Sequence, residues 1–141
     1  MRNSFREFLS ERLAAFQSGD LWDATRDILM PAPVYRGNEV HVYETQGKYV
    51  DWLTGCYREL KDLGWTRTDL DLREVDETKN GGIRALVRWT SRASGGDIVT
   101  ICDIAYFCSY TSREGWKISM TEVIAKWGPG GDDAALPSGA L

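Results

Sequence analysis

Histidine is almost missing from this chain: 141 residues contain a single one, His41, beside three cysteines at 56, 102 and 108. Protein zinc sites are built from these two residue types at short, fixed spacings, so no metal is expected, and no motif implies another cofactor. The cysteine count is odd and lacks scaffold spacing, which reads as free thiols in a cytoplasmic protein. Cys102 and Cys108 share a strand face but lie about 20 Å apart at strand rise, too far to bridge. Positive charge is also short. Seventeen Lys and Arg stand against 21 Asp and Glu, for a net charge of −4, and no basic block exists, which excludes a nucleic-acid partner. No apolar run reaches the about 18 residues of a membrane span, so no membrane partner is expected. Residues Met1 to Glu7 lack the apolar centre of a signal peptide.

What the chain does have is tryptophan, six in all, and a stretch from Trp65 to Ile124 that reads as four long β-strands. Lys79-Asn80-Gly81-Gly82 contains Asn-Gly, the strongest short hairpin signal, because a primed turn needs two residues at positive φ. Ser94-Gly95-Gly96-Asp97 is a second turn, and Thr111 to Gly115 a third. Pairing Ser94 with Asp97 sets Trp89 opposite Cys102, Val87 opposite Ile104 and Ala85 opposite Tyr106. Pairing Tyr110 with Trp116 sets Cys108 opposite Ile118 and Tyr106 opposite Met120. Pairing Lys79 with Gly82 sets Leu72 opposite Trp89, Glu74 opposite Val87 and Glu77 opposite Arg84. Alternation then collects Leu70, Leu72, Ile83, Ala85, Val87, Trp89, Ile98, Cys102, Ile104, Tyr106, Cys108, Trp116, Ile118, Met120 and Ile124 on one inner face. The outer face holds Asp69, Asp71, Arg73, Glu77, Arg84, Arg88, Arg92, Asp103 and Lys117, interleaved with Val75, Leu86, Val99, Ile101, Ala105 and Phe107. Arg88 faces Asp103 there. Apolar residues among paired charges make this face a candidate homodimer interface.

Helices precede the sheet. Residues 4–18 carry an apolar stripe of Phe5, Phe8, Leu9, Leu13 and Phe16, with Ser4 and Glu7 at capping-box spacing. Gly19 ends that helix, and Asp20 caps a second over 21–30, which Pro31 and Pro33 terminate. A short hairpin follows, Val34-Tyr35 and Val40 to Tyr43. Thr45 caps a third helix over 46–63, with Tyr49, Trp52, Leu53, Cys56, Leu60 and Leu63 on its apolar side and Gly64 behind it. One domain spans 1–127, and 128–141 reads as a disordered tail.

This order of elements resembles the nuclear transport factor 2-like superfamily, which includes ketosteroid isomerase and the SnoaL-like cyclases. Arg12 to Asp20, with its terminal Gly-Asp, is similar to the end of the first helix in those proteins, and Gly115-Trp116-Lys117-Ile118 to the start of their last strand. The resemblance covers about residues 4–126. It implies an α+β fold, a cone-shaped, strongly bent antiparallel sheet wrapped round the N-terminal helices, with a pocket at the open end. The steroid isomerase machinery does not carry over. Its carboxylate base falls within Ala32 to Gly37, where there is none; its tyrosine donor falls at Arg12; its protonated aspartic acid falls near Tyr106. The cyclase pairing of aspartate with histidine has only His41 to draw on, out on the short hairpin.

Inward parity supplies several of the remaining candidates, and the helix stripe, the short hairpin and the resemblance supply the others. Glu74 and Glu122, if held in an apolar cone, gain a raised pKa and serve as acid or base. Tyr106 is a hydrogen-bond donor for a carbonyl oxygen, and His41 a proton carrier. Trp89, Met120, Trp52 and Tyr35 are expected to line a ligand pocket, with Arg12 balancing a ligand carboxylate. Two functions fit: a cone-fold protein binding a small apolar ligand, enzymatic if it moves protons without metal on a small apolar carbonyl compound, or a non-catalytic dimer whose cone is filled by Trp22, Trp52 and Trp89.

Overall fold

A computed structural model describes residues 2–128; the tail expected from 128 onward lies outside them apart from Gly128. Helix α1 spans Arg2–Gln17 and buries Phe5, Phe8, Leu9, Arg12 and Ala15 along one side. It begins two residues before the expected cap, and Ser4 instead accepts a 3.1 Å hydrogen bond from Trp116 Nε1. Asp20 does cap α2, accepting from the Asp23 amide, but α2 is only Leu21–Thr25 rather than 21–30. The cause is competition for backbone groups. Asp27 O accepts from the Ile118 amide at 2.9 Å and the Leu29 amide donates to Ile118 O at 2.8 Å, so this segment joins the sheet instead of extending the helix. Strands β1, Ala32–Arg36, and β2, Glu39–Tyr43, form the short hairpin. Helix α3 is Gln46–Asp62, with Thr45 accepting from the Lys48 amide.

Four long strands complete the sheet: β3 Trp65–Glu77, β4 Ile83–Ala93, β5 Ile98–Thr111 and β6 Gly115–Trp127. The sheet order is β2-β1-β6-β5-β4-β3. All neighbours are antiparallel except β1 and β6, which run parallel with Val34 beside Thr121. Between β4 and β5 the expected register holds, with Trp89 opposite Cys102 and Arg88 opposite Asp103. Arg88 grips Asp103 with both Nε and Nη2, at 2.8 and 2.9 Å.

Between β5 and β6 the expected pairs Tyr110–Trp116 and Cys108–Ile118 hold as well, but bulges and one longer turn correct other parts of the register. In β6 the pairing shifts at Ser119, so Met120 stands opposite Phe107 and Glu122 opposite Ala105, on the outer face. Thr121 and Val123 take the inner positions, and both are buried. A second shift near Ile124 leaves that side chain exposed and restores the phase, so Lys126 faces inward opposite Cys102. In β3 a bulge at Arg73 turns Glu74 outward opposite Leu86 and Val75 inward opposite Ala85. Leu72 meets Val87 rather than Trp89, and Arg84 meets Asp76 rather than Glu77. A shift near Val99 places Ile98 opposite Arg92 on the outer side. Each bulge adds local bend and twist, and together they curve the long strands round the helices.

Two core clusters result. Phe5, Phe8 and Leu9 of α1 pack on Leu72, Ile83, Ala85, Val87, Cys108, Trp116 and Ile118. Ala32, Val34, Tyr49 and Val123 form the other, with Trp52, Tyr43 and Cys102 against it.

Candidate functional site

Between the helices and the sheet lies a cavity of about 250 Å³. Helical spacing aims Leu9, Arg12, Leu13 and Phe16 of α1 into it, and Tyr49, Trp52, Leu53, Cys56 and Leu60 of α3. Strand alternation contributes Trp89 and Ser91 from β4, then Thr100, Cys102, Ile104 and Tyr106 from β5. From β6 come Ile118, Val123 and Lys126, whose uneven spacing marks the two bulges.

The structure brings Trp89, Tyr106, Trp52 and Arg12 together on this lining. Trp89 Nε1 donates to the Tyr106 hydroxyl at 3.0 Å. Trp52 stacks on Tyr43 and meets Tyr49 edge-on, each at 5.3 Å between ring centres. Met120 and Glu122 are not part of the lining, because the bulge at Ser119 turned them to the far face. Tyr35 is 40% exposed and stands beside Glu122 across the β1–β6 contact. His41 borders a second, smaller cavity of about 160 Å³ with Val34, Glu39 and Tyr43, and with Arg36 and Trp52, which also line the first. Trp22, expected to fill the cone, is 55% exposed.

Burial sets the protonation of the lining. It pushes the Tyr106 hydroxyl well above its ordinary value, with Tyr49 adding to the shift and the Trp89 hydrogen bond opposing it. Tyr49 is raised for the same reason. Cys102 is pushed up to about 11, Lys126 and Arg36 offsetting burial only in part, and Cys56 is raised as well. These groups hold their protons at neutral pH, so the wall offers hydrogen-bond donors rather than thiolate or phenolate nucleophiles. Among the described residues the lining has one carboxylate, Glu59, 4.0 Å from Lys126 Nζ. Among them, too, no group of three His, Cys, Asp or Glu side chains is placed to hold a metal ion.

Several lining residues were not singled out from sequence. Ser91 and Thr100 share the parity of Trp89 and Cys102, so alternation did carry their signal; their polarity concealed it. They belong to a hydroxyl-rich wall in which Thr68 Oγ1 lies 2.8 Å from Ser91 Oγ and accepts from Trp65 Nε1 at 2.8 Å. Lys126 has inner parity only because two bulges cancel.

No family model and no curated protein matches the sequence. Solved structures share its fold. An NTF-2 like protein of unknown function from Shewanella oneidensis MR-1 is 13% identical and superposes with a TM-score of 0.67 over 86% of this chain and 97% of its own. Aln2 from a Streptomyces species gives 12% and 0.68, over 86% of this chain and 88% of its own. ActVI-ORFA from Streptomyces coelicolor gives 11% and 0.67, over 96% and 97%. At such identities the likeness speaks for architecture. The chain has the α+β cone fold of the nuclear transport factor 2-like proteins.

Proposed function

We propose that this protein binds one small apolar molecule bearing an oxygen acceptor, held in the cavity between α1, α3 and the sheet. One observation carries the reading: Tyr106 lines the cavity while its hydroxyl accepts from Trp89 Nε1 at 3.0 Å. A phenol that accepts one hydrogen bond keeps its own proton for another acceptor. Burial holds that proton in place, so Tyr106 is a fixed donor for a carbonyl oxygen. The volume, about 250 Å³, is just under the range of about 300–1,000 Å³ usual for ligand sites, which suits a compact molecule. The finer reading, metal-free proton transfer on such a carbonyl compound, adds a base beside this donor. Glu59 is the carboxylate of the lining, and its side chain is 48% exposed beside Lys126 rather than enclosed with Tyr106. Binding is therefore preferred to turnover.

The test is a panel of hydrophobic ketones and aldehydes titrated against tryptophan fluorescence, since Trp52 and Trp89 both face the cavity. Saturable quenching is expected. Tyr106→Phe is expected to weaken ketones by about tenfold and to leave a hydrocarbon of the same shape unaffected. Silence across the panel from a folded sample would favour the other reading, a dimeric structural protein. We propose in either case that two copies meet through the outer sheet face. That face offers Leu86, Phe107, Met120 and Trp127 around a centre already closed by Ile101 and Ala105, both 0% exposed.

A further inference from the structure

The cavity has a second polar feature that a carbonyl site does not use. Arg12 lines it while only 8% exposed. Its Nη1 donates to Asp27 Oδ2. The same carboxylate accepts from Lys117 Nζ at 3.0 Å through Oδ1, and Arg26 Nε lies 3.8 Å from Oδ2. Arg26 pairs more closely with Asp23, at 2.9 Å, so Asp27 serves chiefly Arg12 and Lys117, whose side chains are only 9% and 24% exposed. Arg12 Nε is buried without a hydrogen-bond partner, the one side-chain nitrogen or oxygen in that state among the described residues. Buried donors are nearly always paired, so an orphan within a side chain that lines the cavity points to an acceptor that arrives with the ligand. Burial, and then Arg26, lower the Arg12 pKa, while Asp23 and Glu11 act the other way.

We propose that the ligand is a carboxylic acid. Its apolar body lies among Phe16, Trp52, Leu53, Leu60 and Trp89, and one oxygen of its head accepts from Arg12 Nε. A guanidinium presents its donors in a planar fork that suits a carboxylate. The proposal rests on the cavity being a ligand site, as argued above, and specifies the ligand's class. A rival place for the acid head is the pair Arg36 and Lys126, also on the lining. That pair already has Glu59 near Lys126 and leaves no buried donor orphaned, so Arg12 is favoured.

The test compares decanoate with decanol, the same apolar body without the charge, by calorimetric titration of the full chain at neutral pH. Decanoate is expected to bind about ten- to a hundredfold more tightly, as for a charge-assisted hydrogen bond. The double variant Arg12→Gln/Asp27→Asn removes the buried cation with its carboxylate and leaves Lys117, 24% exposed, to solvent. It is expected to bind both probes alike, at the decanol affinity, while Lys126→Met keeps the preference. Should the double variant not melt cooperatively, Arg12→Lys gives the readout: it keeps the charge beside Asp27 but has no Nε, and the preference is expected to drop. Equal wild-type affinity for the two probes overturns the acid assignment and leaves the cavity site standing. No heat from either probe overturns both. A preference that survives the double variant or Arg12→Lys, or that vanishes in Lys126→Met alone, overturns the role of Arg12.

Discussion

Cys102 shows how a single side chain reports on the enclosure of the cavity. Its thiol is pushed up from 9.0 to about 11, chiefly by burial. The folded chain therefore keeps this proton to higher pH than the unfolded chain does. The sign follows from linkage: the stabilisation is complete below pH 9.0 and is lost as pH climbs to about 11. Tyr106, Tyr49 and Cys108 are raised by burial too and act in the same direction at higher pH. Unfolding free energy measured in urea is expected to fall across this window. Cys102→Ala is expected to remove roughly 2 kcal/mol of the decline; an unchanged alkaline limb would argue against an enclosed thiol. At this scale the sequence was legible wherever parity and helix spacing acted alone. Trp52, Trp89 and Tyr106 were placed on the wall by those rules, whereas Arg12 came from the family resemblance. Glu122 and Met120 were misplaced because a backbone irregularity between Ile118 and Thr121 leaves no trace in residue type.

Elements were more legible than their registers. The three turns, the cap at Thr45 and the long helix α3 follow from local chemistry, since Asn-Gly, Thr and Gly act on their immediate neighbours. Register depends on where the bulges fall, and sheet curvature decides that, not the strand's own alternation. The β4–β5 pairing held through most of its length because its one shift lies close to the turn. The β3–β4 pairing did not, because the turn runs one residue longer, with the Thr78 amide donating to Gly82 O at 2.8 Å. Two glycines test this description in opposite directions. A Cβ at Gly82 would stand 2.7 Å from the Cys108 carbonyl oxygen, a backbone atom that cannot step aside. Gly82→Ala is accordingly expected to lower stability by about 1–3 kcal/mol. Gly55, within α3, has open space where its Cβ would be. Gly55→Ala is expected to raise stability by about 1 kcal/mol from helix propensity alone. Urea titration of the two variants checks both signs.

At the scale of the whole molecule, the sheet sorts its two sides by chemistry: an apolar concavity under the helices, and an outer face of charged pairs and rings. Arg84 lies 5.8 Å from the Phe107 ring and Arg88 5.6 Å from the Trp127 ring, so cations already cover part of the outer aromatics. A second copy bringing the same face would meet Leu86, Phe107, Met120 and Trp127 interleaved with charges, the Arg88–Asp103 pair among them. Phe107→Asp sets a carboxylate in the middle of that surface and is expected to yield a monomer by sedimentation velocity; an unchanged dimer would place the contact elsewhere. No helix of the described residues is long and apolar enough to cross a membrane. The parallel contact of β1 with β6 has a temporal meaning as well. Val34 and Thr121 end up side by side, yet a growing polypeptide leaves the ribosome with the first of them long before the second. The opening hairpin must wait, without a docking edge, for nearly the entire remainder to be synthesised. Through that interval the greasy wall stands uncovered, and any premature stop before the final strand delivers to the cell a half-built vessel of the kind chaperones hold.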